Sequence, residues 1–150
     1  MKVVATDDIA MGQEIFTSYL EPFHTNLQRR AILLRGKSFE CSCARCMDPL
    51  EFGTKASCYK CQVNCAGTGK GLISAHSSQH FMSEWSCDTC QVTIPGKESM
   101  EFDNSLSKEG RKVNRSSLEH IEKFIDVYSK LLSQNHVFLL QLKVWMLEGM

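Results

Sequence analysis

The chain has 150 residues, 43% of them hydrophobic and 23% charged, which is enough apolar material for one modest core or two small pieces. Seventeen basic side chains balance seventeen acidic ones, so no electrostatic footprint points to DNA or RNA. No stretch approaches the ~20 apolar residues of a membrane span, and residues 1–8 lack the apolar run of a signal peptide. The expectation is an intracellular protein of the cytoplasm or nucleus, whose partner is a protein rather than a nucleic acid or a membrane.

In chain order, residues 3–5 and 14–19 are short and rich in β-branched and aromatic side chains, which predicts two strands with a turn at Met11-Gly12 between them. Leu27, Ala31 and Leu34 recur at helical spacing and predict a helix from Thr25 to about Leu34, with Thr25 as N-cap and Gly36 beyond the end. The stretch from Phe39 to Cys90 carries all eight cysteines, with Gly67, Gly69 and Gly71 through its middle, so metal rather than a large apolar core should organise it. Residues 91–114 are polar, lack periodicity and read as linker. Ser116-x-x-Glu119 then forms a capping box, and Leu118, Ile121, Ile125, Tyr128 and Leu132 follow at helical spacing. After residues 133–136, Val137, Leu140, Val144 and Leu147 resume the period. This predicts a helical hairpin whose apolar face needs a further layer, as if the chain stopped within a domain. The predicted fold class is a small α+β protein: short β-strands and cysteine-rich zinc-binding loops, then an α-helical hairpin.

Seven of the cysteines fall into tight groups, Cys41-x-Cys43-x-x-Cys46, Cys58-x-x-Cys61 and Cys87-x-x-Cys90, leaving Cys65 over. In a reducing compartment such groups read as metal ligands rather than disulfides. Zinc takes four tetrahedral ligands, and a two-residue spacer lets both sulfurs of a knuckle reach one ion. Cys58, Cys61, Cys87 and Cys90 are therefore expected to form one four-thiolate site, against the plainer alternative of buried thiols or a redox pair. The 25 residues between the two knuckles slightly exceed the spacing of simple ribbons, so the loop must fold back on itself. Tyr59 and Trp85 are expected to pack a small core on the metal. Cys41, Cys43 and Cys46 supply three ligands, and Cys65, His24 or a cysteine outside this sequence could complete that set. An all-thiolate set without an evident general base does not describe a catalytic zinc.

Other polar groups read as solvated. His76, His80 and His120 are isolated, and neither Asp7-Asp8 nor the Asp48/Glu51 region shows a paired-carboxylate design. Gly67-x-Gly69-x-Gly71 follows a metal knuckle rather than joining a strand to a helix, so it is a loop and not a phosphate cradle.

The run Ile9-Ala10-Met11-Gly12-Gln13-Glu14-Ile15-Phe16-Thr17-Ser18-Tyr19, then Arg29/Arg30, Leu33 and Phe39-Glu40-Cys41-Ser42-Cys43-Ala44-Arg45-Cys46, resembles the end of a SET domain passing into its post-SET zinc segment. Asp48-Pro49-Leu50-Glu51-Phe52-Gly53-Thr54, the two knuckles and Glu84-Trp85 resemble the zinc-ribbon insert of SET-and-MYND proteins, arthropod ones in particular. The tail with Asn135-His136 resembles the start of that family's TPR-like domain. The resemblance implies residues 1–38 as the end of a SET domain, 39–57 as post-SET segment, 58–91 as ribbon, 92–114 as linker and 115–150 as a truncated TPR-like hairpin. It implies zinc and S-adenosylmethionine as cofactors and a lysine of a protein as substrate. Tyr19 takes the position of an active-site tyrosine whose hydroxyl orients the neutral amine, work of positioning and electrostatics. Phe39 takes that of an aromatic flanking the adenine of the cofactor. Lys37 stands close to where some members carry a second channel tyrosine. The family's MYND finger, glycine-containing cofactor loop and Asn-His-x-Cys element are absent from these 150 residues, so the expectation is a C-terminal fragment of a lysine methyltransferase, inactive alone. The rivals are a zinc-ribbon interaction module and a family member that has lost catalysis and serves as a scaffold.

Overall fold

The structure, a computed structural model, describes residues 4–5, 8–15, 17–67, 69–75 and 82–149. Val3 and Phe16, and with them part of each strand expected near the N-terminus, lie outside this set, as do Asp7, His76 and His80. The described residues of both stretches hold no strand. Backbone donors and acceptors need a ladder partner to make a strand, and among the described residues nothing pairs with them. The turn between them does form: the Gln13 N–H donates to the Ala10 carbonyl at 3.0 Å, and Gly12 takes the left-handed φ of 84° that the turn requires.

Helix α1 (Asn26–Lys37) starts at Thr25, whose hydroxyl accepts the Gln28 N–H while the Gln28 side chain accepts the Thr25 N–H. This is the reciprocal capping box. The helix continues through Gly36 and ends at Ser38, where φ reaches 58°. Its buried face carries Leu27, Arg29, Arg30 and Leu33, while Leu34 stays exposed. Two arginines thus enter the interior, each with a carboxylate partner: Arg29 with Glu51 and Arg30 with Glu40.

A one-turn helix, α2 (Ala44–Met47), leads into a four-stranded antiparallel meander of β1 (Tyr59–Lys60), β2 (Leu72–Ala75), β3 (Trp85–Cys87) and β4 (Thr93–Ile94). Tyr59 pairs with Ile73, Ile73 with Cys87, and Trp85 with Ile94. Tyr59 and Trp85 stack with centroids 5.0 Å apart, the small aromatic core expected beside the cysteines.

Residues 96–110, expected to be linker, are instead a fifteen-residue helix, α3 (Gly96–Gly110). Its apolar period is disguised because the buried stripe includes Ser99 and Asp103 as well as Leu106. Asp103 becomes tolerable inside because the hydroxyls of Thr25 and Tyr59 both donate to its carboxylate, the latter at 2.8 Å. This network ties α1, β1 and α3 together. Burial still raises the carboxyl, to about 6.

Helices α4 (Leu118–Ser129) and α5 (Val137–Glu148) form the expected hairpin, with the cap at Ser117 rather than Ser116: the Ser117 hydroxyl accepts the His120 N–H at 3.3 Å. Its apolar face finds a layer within the chain, since Ile121, Leu132, Leu139 and Leu142 join Tyr59, Ile73, Trp85 and Leu106 in one core. The connection between α4 and α5 docks on the free edge of β1. There Lys60 donates to the Leu131 carbonyl, Ser133 to that of Cys58 and Val137 to that of Ala56, at 2.7, 3.1 and 2.9 Å. Strands, cysteine loops and helical hairpin therefore make one small α+β unit, the fold class expected.

Candidate metal centres

The chain gathers its cysteines into two groups, and the grouping differs from the spacing argument. Cys61, Cys65, Cys87 and Cys90 bring their sulfurs within 4.8 Å of one another, and so do Cys41, Cys43 and Cys46. All eight cysteines are free thiols.

In the ribbon group Cys61 follows β1, Cys65 lies in the loop beyond it, Cys87 ends β3 and Cys90 sits in the turn to β4. The Cys61 and Cys90 sulfurs are 3.7 Å apart, those of Cys65 and Cys87 3.9 Å. A tetrahedron with zinc–sulfur bonds of about 2.3 Å has edges of about 3.8 Å, so the donor set fits zinc in both element and size. The Thr89 and Cys90 N–H groups point at the Cys87 sulfur at 3.4 and 3.5 Å, donors of the kind that orient a metal-bound sulfur. Burial opposes ionisation of Cys61, but the N–H groups of Val63 and Cys65 and the neighbouring thiols outweigh it and bring the group down to about 7. Cys65, by contrast, is pushed up to about 12 by burial and by the same neighbours. Gly71 lies beneath it, and a Cβ there would come 2.7 Å from both the Cys65 and the Cys87 sulfur. Glycine at this position lets the backbone underlie the cluster.

Cys58, expected as a ligand, lies outside this set, and Cys65 takes its place. Tyr59 and Lys60 are extended and paired as β1, and in a strand residues three apart face opposite sides. Cys58 and Cys61 flank this extended pair, and only Cys61 joins the cluster. Cys58 is completely buried, and burial together with the Glu51 charge pushes its thiol up to about 12. The sequence held a signal for Cys65: it leaves 21 residues before Cys87, nearer to simple ribbon spacing than the 25 counted from Cys61.

In the second group Cys43 caps the start of α2, Cys46 lies within it, and Cys41 precedes both. Among the described residues no fourth ligand joins them. Cys65 belongs to the ribbon, and the His24 ring bonds the Glu21 carbonyl at 2.9 Å. Burial raises the Cys46 thiol to about 12, while the nearby Arg29 charge works in the opposite direction. At Cys43 burial is outweighed by N–H groups of Cys46 and Arg45 and by the neighbouring thiols, and the group is lowered.

Tyr19 and Phe39 lie together, ring centroids 5.8 Å apart and edge to face. Tyr19 is 60% and Phe39 38% exposed, so the pair presents a surface rather than an enclosed site. Sequence reasoning passed over Glu51 as a solvated carboxylate, yet it is fully buried and bonded to Arg29, Arg45 and Ser57. His120 holds the Asn114 N–H at 2.9 Å and is a structural residue.

No protein-family model matches the chain. Over 125 residues, 83% of its length, it is 30% identical to SET domain-containing protein SmydA-8, isoform B, of Drosophila melanogaster, and the match covers 27% of that protein. Over 51 residues, 34% of its length, it is 43% identical to histone-lysine N-methyltransferase SET5 of Candida albicans, covering 11% of that protein. A 48-residue stretch is 48% identical to SET5 of Meyerozyma guilliermondii, 32% of this chain and 10% of the other. The chain is thus similar along most of its length to a SET domain-containing protein and over about a third of it to histone-lysine methyltransferases of the SET class. It spans about a quarter of the length of SmydA-8. No helix among the described residues is long and apolar enough to cross a membrane.

Proposed function

We propose that the chain is the zinc-organised segment of an S-adenosylmethionine-dependent protein-lysine methyltransferase, with zinc held by Cys61, Cys65, Cys87 and Cys90 and a second zinc by Cys41, Cys43 and Cys46. The observation that carries the reading is the tetrahedral spacing of the ribbon sulfurs, 3.7 and 3.9 Å, in a chain related to proteins named as SET-domain and histone-lysine methyltransferases. Four thiolates saturate a zinc ion, so the ribbon metal is structural and its binding energy is folding energy. In this reading residues 1–38 close a SET domain, 39–57 are its post-SET segment, and residues 115–150 begin a TPR-like domain. Tyr19 orients the substrate amine and Phe39 flanks the cofactor. Two exposed rings do not make a cofactor pocket, so methyl transfer to a protein lysine, histone or other, in nucleus or cytoplasm, is proposed for a longer protein.

Elemental analysis of metal-buffered protein tests the zinc sites and calorimetric titration of S-adenosylmethionine tests the cofactor. Two zincs per chain and no measurable cofactor affinity match the proposal. A chain without zinc refutes it, and tight cofactor binding refutes the division of labour. A docking role gains support from a cleft of about 480 Å³ between α1, α3 and α5, lined by Arg35, Arg111 and Arg115 and by no carboxylate. Such a cleft suits an acidic segment of a protein partner. Binding of a poly-glutamate peptide that survives replacement of all three arginines would remove that role.

A further inference from the structure

Arg29 is only 7% exposed, and a buried guanidinium requires compensation. Glu51, whose side chain has no exposure, accepts Arg29 Nη1 and Arg45 Nε at Oε2, each at 2.8 Å, and the Ser57 hydroxyl at Oε1. That carboxylate is shared between the buried Arg29 and Arg45, whose side chain is 38% exposed and partly solvated. Arg29 Nη1 also donates to the neutral His24 carbonyl at 2.9 Å. Its Nη2 lies 3.8 Å from the Cys46 sulfur, so the buried guanidinium, held by Glu51 on one side, faces the cysteine triplet on the other. A dication on three thiolates carries net negative charge, which a buried cation alongside stabilises strongly where the dielectric is low. The arrangement is anchored on both sides. Arg45 belongs to the turn between Cys43 and Cys46, and Asn26, the first residue of α1, donates from its side chain to the Cys46 carbonyl and from its backbone to the Ser57 hydroxyl, at 2.9 and 2.7 Å.

We infer that Arg29 is the charge-compensating residue of the Cys41/Cys43/Cys46 centre and that Glu51 is the positioning residue that holds it there. The inference rests on reading the triplet as a zinc site. Glu51→Gln separates two physical pictures. If Glu51 acted only through its own field, removing a negative charge near thiolates would strengthen metal binding. As the holder of Arg29, its loss weakens it.

Cobalt(II) exchanged into the whole chain and withdrawn with graded chelator reports the two centres separately, because three-thiolate and four-thiolate cobalt differ in their visible bands. Arg29→Met should release the triplet metal at roughly ten-fold or more lower chelator strength, the usual scale for outer partners of a metal site, with the ribbon bands unchanged. Arg29→Lys should keep most of the affinity, and Glu51→Gln should shift in the same direction as Arg29→Met. An unmoved triplet in Arg29→Met, a strengthened one in Glu51→Gln, or equal loss at both centres in Arg29→Met and Arg29→Lys overturns the inference. Wild-type chain that takes cobalt at the ribbon only would overturn the two-zinc reading itself, before any variant is made.

Discussion

Replacing Cys65 by serine removes one of four sulfurs whose contacts, 3.9 Å to Cys87 and 3.7 Å between Cys61 and Cys90, match a zinc tetrahedron. Structural zinc contributes roughly 10–16 kcal/mol of apparent binding energy at neutral pH. Dividing the lower figure among four thiolates assigns about 2.5 kcal/mol to one, or about two orders of magnitude in affinity. The control is Cys58→Ser. Cys58 is completely buried but outside the cluster, so its hydroxyl replacement should cost about 1–3 kcal/mol of stability as a buried polar group and leave the metal in place. Competition with a chromophoric zinc chelator measures both variants, with thermal unfolding alongside. Zinc lost from Cys58→Ser and retained in Cys65→Ser would refute the assignment and restore the ligand set that the two knuckles imply.

Gly71→Ala drives a Cβ to 2.7 Å from the Cys65 and Cys87 sulfurs, well inside contact distance. It should weaken the ribbon metal ten-fold or more in the same competition, and unchanged affinity would show that the loop yields. Burial holds His136 neutral, with its folded value down at about 3 against 6.5 unfolded. Its contribution is present above pH 6.5 and is lost as the pH falls. His136→Gln should therefore remove about 2 kcal/mol of the stability lost between pH 7 and pH 5; an identical pH profile in denaturant unfolding would contradict this. Asp103 has the opposite sign, its folded value being raised from 3.8 to about 6. A carboxyl that binds its proton more tightly when folded stabilises the fold as the pH drops. Wild type should gain about 1 kcal/mol on Asp103→Asn between pH 7 and pH 5, and a constant difference would mean that Asp103 ionises normally.

Local chemistry carried much of this protein in its sequence. The Thr25 capping box, the Met11-Gly12 turn, the two hairpin helices and the clustering of cysteines depend on groups a few residues apart, so their spacing alone specifies them. Kinship with SET-and-MYND proteins was legible for the same reason, in short runs such as Phe39 to Cys46. Three features were decided only in three dimensions. Which cysteines gather turned on β1, because pairing with β2 extends Tyr59 and Lys60 between Cys58 and Cys61, and Cys61 rather than Cys58 joins the cluster. Helix α3 was invisible because its buried stripe contains Ser99 and Asp103, polar residues that belong inside only once Thr25 and Tyr59 arrive from 78 and 44 positions away to bond the carboxylate. Glu51 likewise reads as a surface charge until Arg29, Arg45 and Ser57 surround it. A sequence shows the character of a side chain, whereas burial and partnership depend on contacts between distant segments, and those contacts exist only in the folded chain.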